Sequence, residues 1–534
     1  MVKRVHLALP LLLLALAVGC HTRHAGVVVL PSHFLAYPEE TRLGSKLAAQ
    51  TQAHPGQSGF YILDSNVEAF QARAQLAEAA QKTLDVQSYI IWGDRTGRML
   101  AGRILDAADR GVRVRILVDD VNVVWKDSWI TRLDAHPNIE LRVFNPFLGT
   151  RTSALLVLWD FLEAGRLTRR MHNKIFAADN TAAIMGGRNI GDEYFAARSD
   201  LNFEDLDVLA VGPVVQDLST SFDEYWNSEW AYPVEQWRTE GGKAKDIKKL
   251  RQDIELPPKP APPTPFEEAL NNADLLQRLQ DGKLPLDWAN ARVVYDHPSK
   301  IDGNKKSIRV IPEIWSLVES VQKELIVISP YFVPGEEGLE LFRSLRRRGV
   351  RIRILTNSLG STDVGLAQTG YARYRRALIH EGIELYELKP SALSRFKDRR
   401  WLRRHATRPQ SSLHAKAYIF DRQTVFVGSM NLDERARYLN TELGLIIESQ
   451  PIGQKLAALF EESTLPQHSY RMALAAPQVV ASPKLQELRP AREWPVWITE
   501  EKGQMVRFSH EPHVSLWRKF TTALLMLLPM ESQL

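Results

Sequence analysis

The sequence predicts an α/β protein built from two pseudo-symmetric lobes, each a mixed β-sheet flanked by helices. Three observations predict it. A strand, helix, strand, strand order occurs twice, about 240 residues apart. Each copy ends in the same His-x-Lys-x4-Asp signature, and in each copy Gly and Asn follow that signature at matching offsets. Self-similarity at such a long period marks a duplication, not a short-repeat solenoid.

The elements follow in order. Thr83–Ile91 and Glu324–Phe332 are apolar stretches of strand type, each with a Ser and a Tyr near its end. Helices are expected over Met99–Arg110 and Glu337–Arg348. Each leads into an Arg-Gly break and then alternating Val/Ile and Arg (Val112–Leu117, Val350–Leu355), the period-two pattern of a strand. Ile139–Leu141 and Ile383–Leu385 supply a further strand in each copy. Alternating strands and helices imply helices covering a largely buried sheet. The stretch 241–290 joins the lobes. Its basic run (Lys243–Arg251) and proline-rich run (Pro257–Pro265) suit a surface linker, with a short helix near Phe266–Gln280.

The first signature is His172-Asn173-Lys174 with Asp179, followed by Gly186, Gly187 and Asn189. The second is His414-Ala415-Lys416 with Asp421, followed by Gly428, Ser429 and Asn431. One such pattern arises by accident in a chain of this length at a frequency on the order of a few per cent; two in register do not. On an extended strand residues i and i+2 share a face, so each His projects with its Lys. Asp179 and Asp421 lie five residues beyond the lysines, about 16 Å along a strand, inside polar hairpin turns. They are read as structural, fixing the turn by side-chain-to-backbone bonds. Glycine at 186–187 and 428 allows close backbone approach, while Asn189, Ser429 and Asn431 offer donors to phosphate oxygens.

The totals are those of a globular chain: 534 residues, 44% hydrophobic, 25% charged, which excludes disordered and fibrous classes. A formal charge of +5, from 68 basic against 63 acidic residues, leans weakly towards an anionic partner. At the N-terminus Lys3 and Arg4 precede an apolar stretch, Leu7–Val18, which has the form of a secretory signal and is short for a membrane span. Cys20 is the only cysteine, so no intrachain disulfide forms. At the C-terminus Trp517, Phe520, Leu524, Leu527 and Leu528 recur at helical spacing beside Arg518 and Lys519, and Pro529 ends the run. That helix either packs on the protein or lies in a membrane interface. The expected divisions are 1–19 signal, 20–59 tether, 60–240 first lobe, 241–290 linker, 291–470 second lobe and 471–534 C-terminal extension.

On its two His-x-Lys-x4-Asp signatures and their Gly-x-x-Asn sequels, the chain resembles the phospholipase D superfamily over about residues 60–470. The resemblance implies one active site at the interface of the two lobes, with no metal and no cofactor. One histidine attacks phosphorus to form a phosphohistidine; the other protonates the leaving alcohol and deprotonates the incoming one. Lys174, Lys416, Asn189 and Asn431 then hold the non-bridging oxygens, where preplaced donors stabilise developing charge. By the same resemblance His172 is the nucleophile and His414 the acid/base, although the pseudo-symmetry leaves the reverse assignment open. A carboxylate on the next strand orients each ring: Glu442 in the second half, and Asp205 as the partner of His172 in the first, with Asp207 as the alternative. Gly187 departs from the commoner serine and removes one hydroxyl donor. Arg169, Arg170 and Arg188 either bind lipid phosphates or are surface charge.

Within the superfamily, Arg169–Lys174, Asp205–Leu209, Gly428–Asp433 and the closing Ser515–Phe520 and Leu527–Glu531 resemble bacterial cardiolipin synthases of the C type. This implies transfer of a phosphatidyl group to the glycerol head of phosphatidylglycerol, with phosphatidylethanolamine as a second candidate substrate and a membrane surface as the working environment. The runner-up readings are a phospholipase D hydrolase releasing phosphatidic acid and a non-catalytic envelope lipoprotein binding anionic lipid. A nuclease comes third, and no nucleic-acid partner is expected. Leu16–Cys20 resembles a lipobox with Ala17 where Leu is usual, which implies acylation of Cys20 and an exported lipoprotein facing the periplasm. His21 after the cysteine favours the outer membrane over the inner.

Overall fold

The computed structural model describes residues 30–122, 129–147, 164–234, 243–255, 266, 274–392, 410–475 and 493–525. Cys20 and the signal-like segment, the proline run before Phe266 and the chain end after Leu525 lie outside the described residues.

The first repeat contributes strands β1 (Ser58–Leu63), β2 (Thr83–Ser88), β3 (Arg113–Asp119), β4 (Ile139–Phe144), β5 (Ile175–Ala178), β6 (Ala182–Gly186), β7 (Leu201–Glu204), β8 (Asp207–Val211) and β9 (Ala231–Pro233). The second contributes β10 (Asp287–Tyr295), β11 (Glu324–Ile328), β12 (Arg351–Asn357), β13 (Glu384–Leu388), β14 (Gln410–Leu413), β15 (Ala417–Phe420), β16 (Thr424–Gly428), β17 (Leu443–Glu448) and β18 (Ser469–Ala475), extended by the hairpin β19 (Trp494–Glu501) and β20 (Gln504–Phe508). Hydrogen bonding orders the first lobe β1-β8-β6-β5-β2-β3-β4-β9. The second lobe runs β10-β17-β16-β15-β11-β12-β13-β18, the same order strand for strand. In both, the three central strands run parallel and the flanking strands antiparallel.

The two sheets are not separate. β1 pairs antiparallel with β10 (Ser58 with Ala289, Phe60 with Asp287), so the lobes meet edge to edge in one 18-stranded sheet. This pairing satisfies two edges that each lobe would otherwise expose. Among the described residues three apolar cores result. Helices Asn66–Ala79 and Arg95–Asp109 cover the outer face of the first lobe, and Val310–Ser320 and Gly335–Arg347 that of the second. The inner faces share a central core containing Ile62, Leu117 and Met185 from one lobe and Ile328, Leu355 and Val427 from the other. The helices that close each repeat, Pro213–Trp226 and Gln450–Ser463, supply Leu218, Phe222, Leu456 and Phe460 to it. A core common to both lobes fixes their relative position, which a site assembled from both requires.

The basic run near residue 250 differs from the expected surface linker. Lys243–Glu255 is a helix clamped to the first lobe: Arg251 pairs with Asp109 at 2.7 Å, and Arg132 with Asp253 at 2.6 Å. Alternation of apolar Ile247, Leu250 and Ile254 among the lysines gives it one buried face, with Leu250 fully buried.

Asp179 and Asp421 open the β5–β6 and β15–β16 hairpins with positive φ at two successive residues, 52° and 50° at 179–180, 51° and 54° at 421–422, the geometry of a type I′ turn. Their carboxylates reach beyond the turn, to the segment entering the neighbouring strand. Asp179 accepts from the N–H groups of Gln81, Lys82 and Thr83 at 2.8–2.9 Å, and Asp421 from those of Gln322, Lys323 and Glu324 at 2.7–2.9 Å. Asp179 is fully buried, whereas two of the Asp421 bonds are exposed to water. Asp179→Ala should therefore destabilise by on the order of 3 kcal/mol, because the buried Thr83 N–H loses its partner and two part-buried bonds go with it. Asp421→Ala should cost clearly less; equal shifts in denaturant midpoint would contradict this.

Candidate active site

Each His-x-Lys segment is the extended lead-in to a strand, just before the ladder of β5 or β15 begins. The backbone of each is stapled to the opposite lobe. The N–H of His172 donates to the carbonyl of Thr441 at 3.0 Å, and that of Thr441 to Arg170 at 2.8 Å. Symmetrically, β14 pairs in parallel with β7, and the N–H groups of His414 and Ala415 both donate to the Glu204 carbonyl, at 2.8 and 3.0 Å.

This exchange corrects the expected pairing of rings and acids. The register Leu413 with Glu204 carries Asp205 next to His414, and the bridge Met171–Thr441 carries Glu442 next to His172. His172 Nδ1 is hydrogen-bonded to Glu442 at 2.9 Å, and His414 Nδ1 to Asp205 at 2.6 Å. Asp205 is thus not the partner of His172; each imidazole is oriented by the other lobe's carboxylate. Asp207, the alternative acid, meets neither histidine. It is buried in ion pairs with Arg73 (2.8 Å) and Arg188 (3.2 Å).

Lys174 and Lys416 lie on the same side of the chain as their histidines, each donating back to the carbonyl of the histidine two residues earlier. Asn173 points away, accepting from the Thr441 hydroxyl at 3.0 Å. Both histidines and both lysines are buried. Burial lowers Lys174 to about 7 and Lys416 to about 8, with Glu442 and Asp205 pulling the other way. Burial, together with Lys174, Lys416 and His414, pushes His172 well below the ordinary histidine value. The imidazoles and ammonium groups of the two lobes are thus near enough for their charges to oppose one another. Burial also lowers His414, although Asp205 opposes this. The two acids differ. Burial opposes ionisation of Asp205, yet His414, Lys416 and Arg188 hold it well below the usual carboxylate range. Burial pushes Glu442 up to about 7, against Lys174 and the Ser429 hydroxyl, which donates to its Oε2.

The remaining candidates divide. Ser429 is committed to Glu442 and accepts from the Leu443 N–H at 3.0 Å. In the first lobe a side chain at Gly187 would overlap Asp205, its Cβ falling 2.1 Å from Oδ1. The glycine thus leaves room for the acid on His414, in addition to lacking a hydroxyl. Asn189 accepts from the Ile90 N–H at 3.3 Å and donates to the Tyr194 hydroxyl at 2.9 Å, which holds that ring 5.3 Å from His414. Asn431 is buried with its Oδ1 unpartnered among the described residues. Arg170 and Arg188 are neither surface charge nor free for lipid. Both are buried, Arg170 on the carbonyls of Leu167 and Asn145, Arg188 on those of Leu63 and Asp205. Arg169 is half-buried and donates to the Ile301 carbonyl at 3.0 Å.

Tyr89 was not singled out by spacing. Its ring stands 5.2 Å from His172 edge-on, with Lys174 Nζ 5.6 Å from its centroid. The repeated Ser and Tyr at the ends of β2 and β11 was the available signal. Arg435, on the short helix Glu434–Tyr438, donates to the Thr168 carbonyl and adds positive potential at His172.

Because Ser429 lowers the Glu442 carboxyl, Ser429→Ala should raise it further. The carboxylate that orients His172 would then be lost at higher pH, and the acid limb of the kcat/KM profile should move upward. An unmoved limb with unchanged protein stability would contradict this coupling.

A family model described as "Cardiolipin synthase, PLD-like domain" matches residues 74–226 and 314–464, one span in each lobe. The chain is 38% identical over 499 residues to cardiolipin synthase C of Escherichia coli (strain K12), covering 92% of this chain and 99% of that protein. It is 32% identical to an uncharacterized protein of Helicobacter pylori (strain J99), covering 90% of each. Among solved structures, phosphatidylserine synthase of Haemophilus influenzae Rd KW20 superposes with a TM-score of 0.52 at 17% identity, over 80% of this chain and 92% of that one, a likeness of fold. Two copies of one domain, each carrying its His-x-Lys motif into the other's carboxylate, place this chain in the cardiolipin synthase family of phospholipase D-like proteins.

Proposed function

We propose that this protein is a phosphatidyltransferase that moves a phosphatidyl group to the glycerol head of phosphatidylglycerol, yielding cardiolipin, through a phosphohistidine on His172. The observation that carries the reading is the pair of imidazoles, each held through Nδ1 by a carboxylate from the opposite lobe, beside two buried lysines. Nδ1 fixed as donor leaves Nε2 of each ring for chemistry. His172, strongly disfavoured as imidazolium, supplies a lone pair at neutral pH. His414, against a firmly ionised Asp205, is the ring better able to carry a proton.

In the first step His172 Nε2 attacks phosphorus, the bond to the departing headgroup oxygen breaks, and that oxygen takes a proton from His414. In the second, the acceptor hydroxyl attacks phosphorus as His414 takes its proton; the P–N bond breaks and both rings return to their starting states. Lys174 and Lys416 stabilise the anionic phosphoryl oxygens throughout. The phosphodiester binds their charged forms, so kcat/KM should fall as pH rises through the free-protein values of about 7 and 8 given by burial, and kcat only at higher pH. Likeness to cardiolipin synthase C over nearly the whole chain supports transfer to an alcohol over hydrolysis.

Purified protein in vesicles of phosphatidylglycerol, with and without phosphatidylethanolamine, tests this. Cardiolipin is the expected product. Phosphatidic acid alone supports the hydrolase, and no turnover the lipid-binding lipoprotein. We further propose export and acylation at Cys20, with the outer membrane favoured over the inner; no helix among the described residues is long and apolar enough to cross a membrane. Cys20→Ala should release the protein from the membrane fraction, and retention would refute the anchor.

A further inference from the structure

We infer that Asp363, Tyr331 and Arg518 form the subsite for the acceptor lipid: a carboxylate–phenol pair for the hydroxyls of its glycerol head and a guanidinium for its own phosphate. The inference rests on the role proposed above for His414. In an in-line displacement the nucleophile and the departing oxygen lie on opposite sides of phosphorus. With His172 attacking, the headgroup that leaves, and the alcohol that replaces it, must both lie on the His414 side. What surrounds His414 therefore selects the alcohol.

Tyr194 and Phe203 pack on the ring of His414, with centroids 5.3 and 5.1 Å away, and close one side. The loop after β12 is tied to the segment that carries the ring. Its anchor, Asn357 at the end of that strand, exchanges hydrogen bonds with Leu413, the residue before His414: Nδ2 to the Leu413 carbonyl at 2.9 Å and the Leu413 N–H to Oδ1 at 2.8 Å. The loop is further braced by Ser358 and Ser361 and runs out to Asp363. Loops at the carboxyl ends of parallel strands are where α/β sheets place ligands. Asp363 is exposed, and its charge is felt by His414, Lys416 and Tyr194. The Tyr331 hydroxyl donates to the Asp363 carboxylate, at 2.9 Å from each oxygen. The remaining lone pairs on these oxygens accept from hydroxyls, and the phenol oxygen accepts one more.

A lone carboxylate at this rim would repel a lipid whose headgroup continues into a second phosphate. The C-terminal helix Leu516–Leu525 supplies the compensating charge. It packs on helix Gly365–His380, and Arg518 Nη2 donates to the carbonyl of Thr362, the residue before Asp363. Lys519 follows it. On the same helix Leu516 and Trp517 are 84% and 73% exposed, apolar side chains of the kind that meet acyl chains. The base, the hydroxyl acceptors, the cation and the exposed apolar side chains thus lie on segments tied to one another in turn. That set of groups suits a glycerophospholipid presented hydroxyl-first.

The test uses vesicles of phosphatidylglycerol carrying one isotope in the phosphatidyl group as the sole lipid donor, with free glycerol carrying a second isotope added, so that exchange appears as doubly labelled phosphatidylglycerol. Three products are read from one donor: cardiolipin, glycerol-exchanged lipid and phosphatidic acid. Asp363→Ala should lower the ratio of both transfer products to phosphatidic acid about tenfold, since a hydroxyl-binding site that loses its partner discriminates poorly against water. Tyr331→Phe, which keeps the ring and the packing, should lower it in the same direction. Arg518→Ala should lower the ratio of cardiolipin to glycerol exchange about tenfold, because only the lipid acceptor carries a phosphate. Unchanged ratios in the Asp363 and Tyr331 variants, or an Arg518 variant that lowers both transfer products in proportion, would overturn the subsite while leaving the transferase intact. A native enzyme that yields only phosphatidic acid would overturn the transferase reading, and this subsite with it.

Discussion

His172→Ala should abolish turnover with every donor, by on the order of 10⁴-fold or more, and should leave no protein-bound phosphoryl group. His414→Ala should be as damaging with a natural phospholipid but should fail differently. A headgroup oxygen departing as an alkoxide needs a proton, whereas a nitrophenolate does not. With a nitrophenyl phosphatidyl donor, His414→Ala should therefore still expel nitrophenol once per site and then stall, because nothing activates the acceptor in the second step. Labelled phosphoryl group should accumulate on His172 and be lost in acid, as phosphoramidates are. A burst from His172→Ala, and none from His414→Ala, would reverse the two roles.

The second large effect concerns the acids, and its signature crosses the lobes. Asp205→Asn should reduce turnover by about 10²–10⁴-fold, because an amide opposite Nδ1 no longer fixes the ring's tautomer or stabilises its imidazolium. Since Asp205 holds His414 at 2.6 Å, this variant should behave as a weakened His414 variant, retaining the nitrophenol burst. Glu442→Gln should instead slow the burst itself, because Glu442 holds His172. If each acid served the histidine of its own lobe, the two phenotypes would be exchanged.

That crossing was out of reach of the sequence, and the reason is physical. Spacing within one repeat shows that His172 and Lys174 share a face and that Asp205 lies near the start of a returning strand. It does not show whether the segment before that strand reaches its own lobe's histidine or the other's. The parallel pairing of β7 with β14 decides this, and two four-residue strands of mixed polarity carry no periodic signal of partnership. The repeated elements were legible because alternating Val/Ile in Val112–Leu117 and Val350–Leu355 reports burial directly. The clamped helix Lys243–Glu255 was hidden by its lysines, which mask three apolar residues on one face. Arg170 and Arg188 were misjudged for a similar reason: composition places arginine at the surface, whereas here the carbonyls of Leu167, Asn145, Leu63 and Asp205 satisfy it inside. Asp363 and Tyr331 lie in different parts of the second repeat and meet only because the loops after β11 and β12 adjoin.

The reciprocal stapling of the two halves bears on how such a catalyst is free to evolve. A half-length chain that paired with an identical copy would be constrained to equivalence: any change near one ring would appear near the other, because a twofold contact is self-complementary. Joining the halves in one polypeptide lifts that constraint. Here one side carries glycine with aspartate and the other serine with glutamate, which gives the two rings unlike surroundings. Covalent linkage thereby turns a symmetric pair into a directional device, able to hold one ring as donor of electrons and the other as carrier of protons.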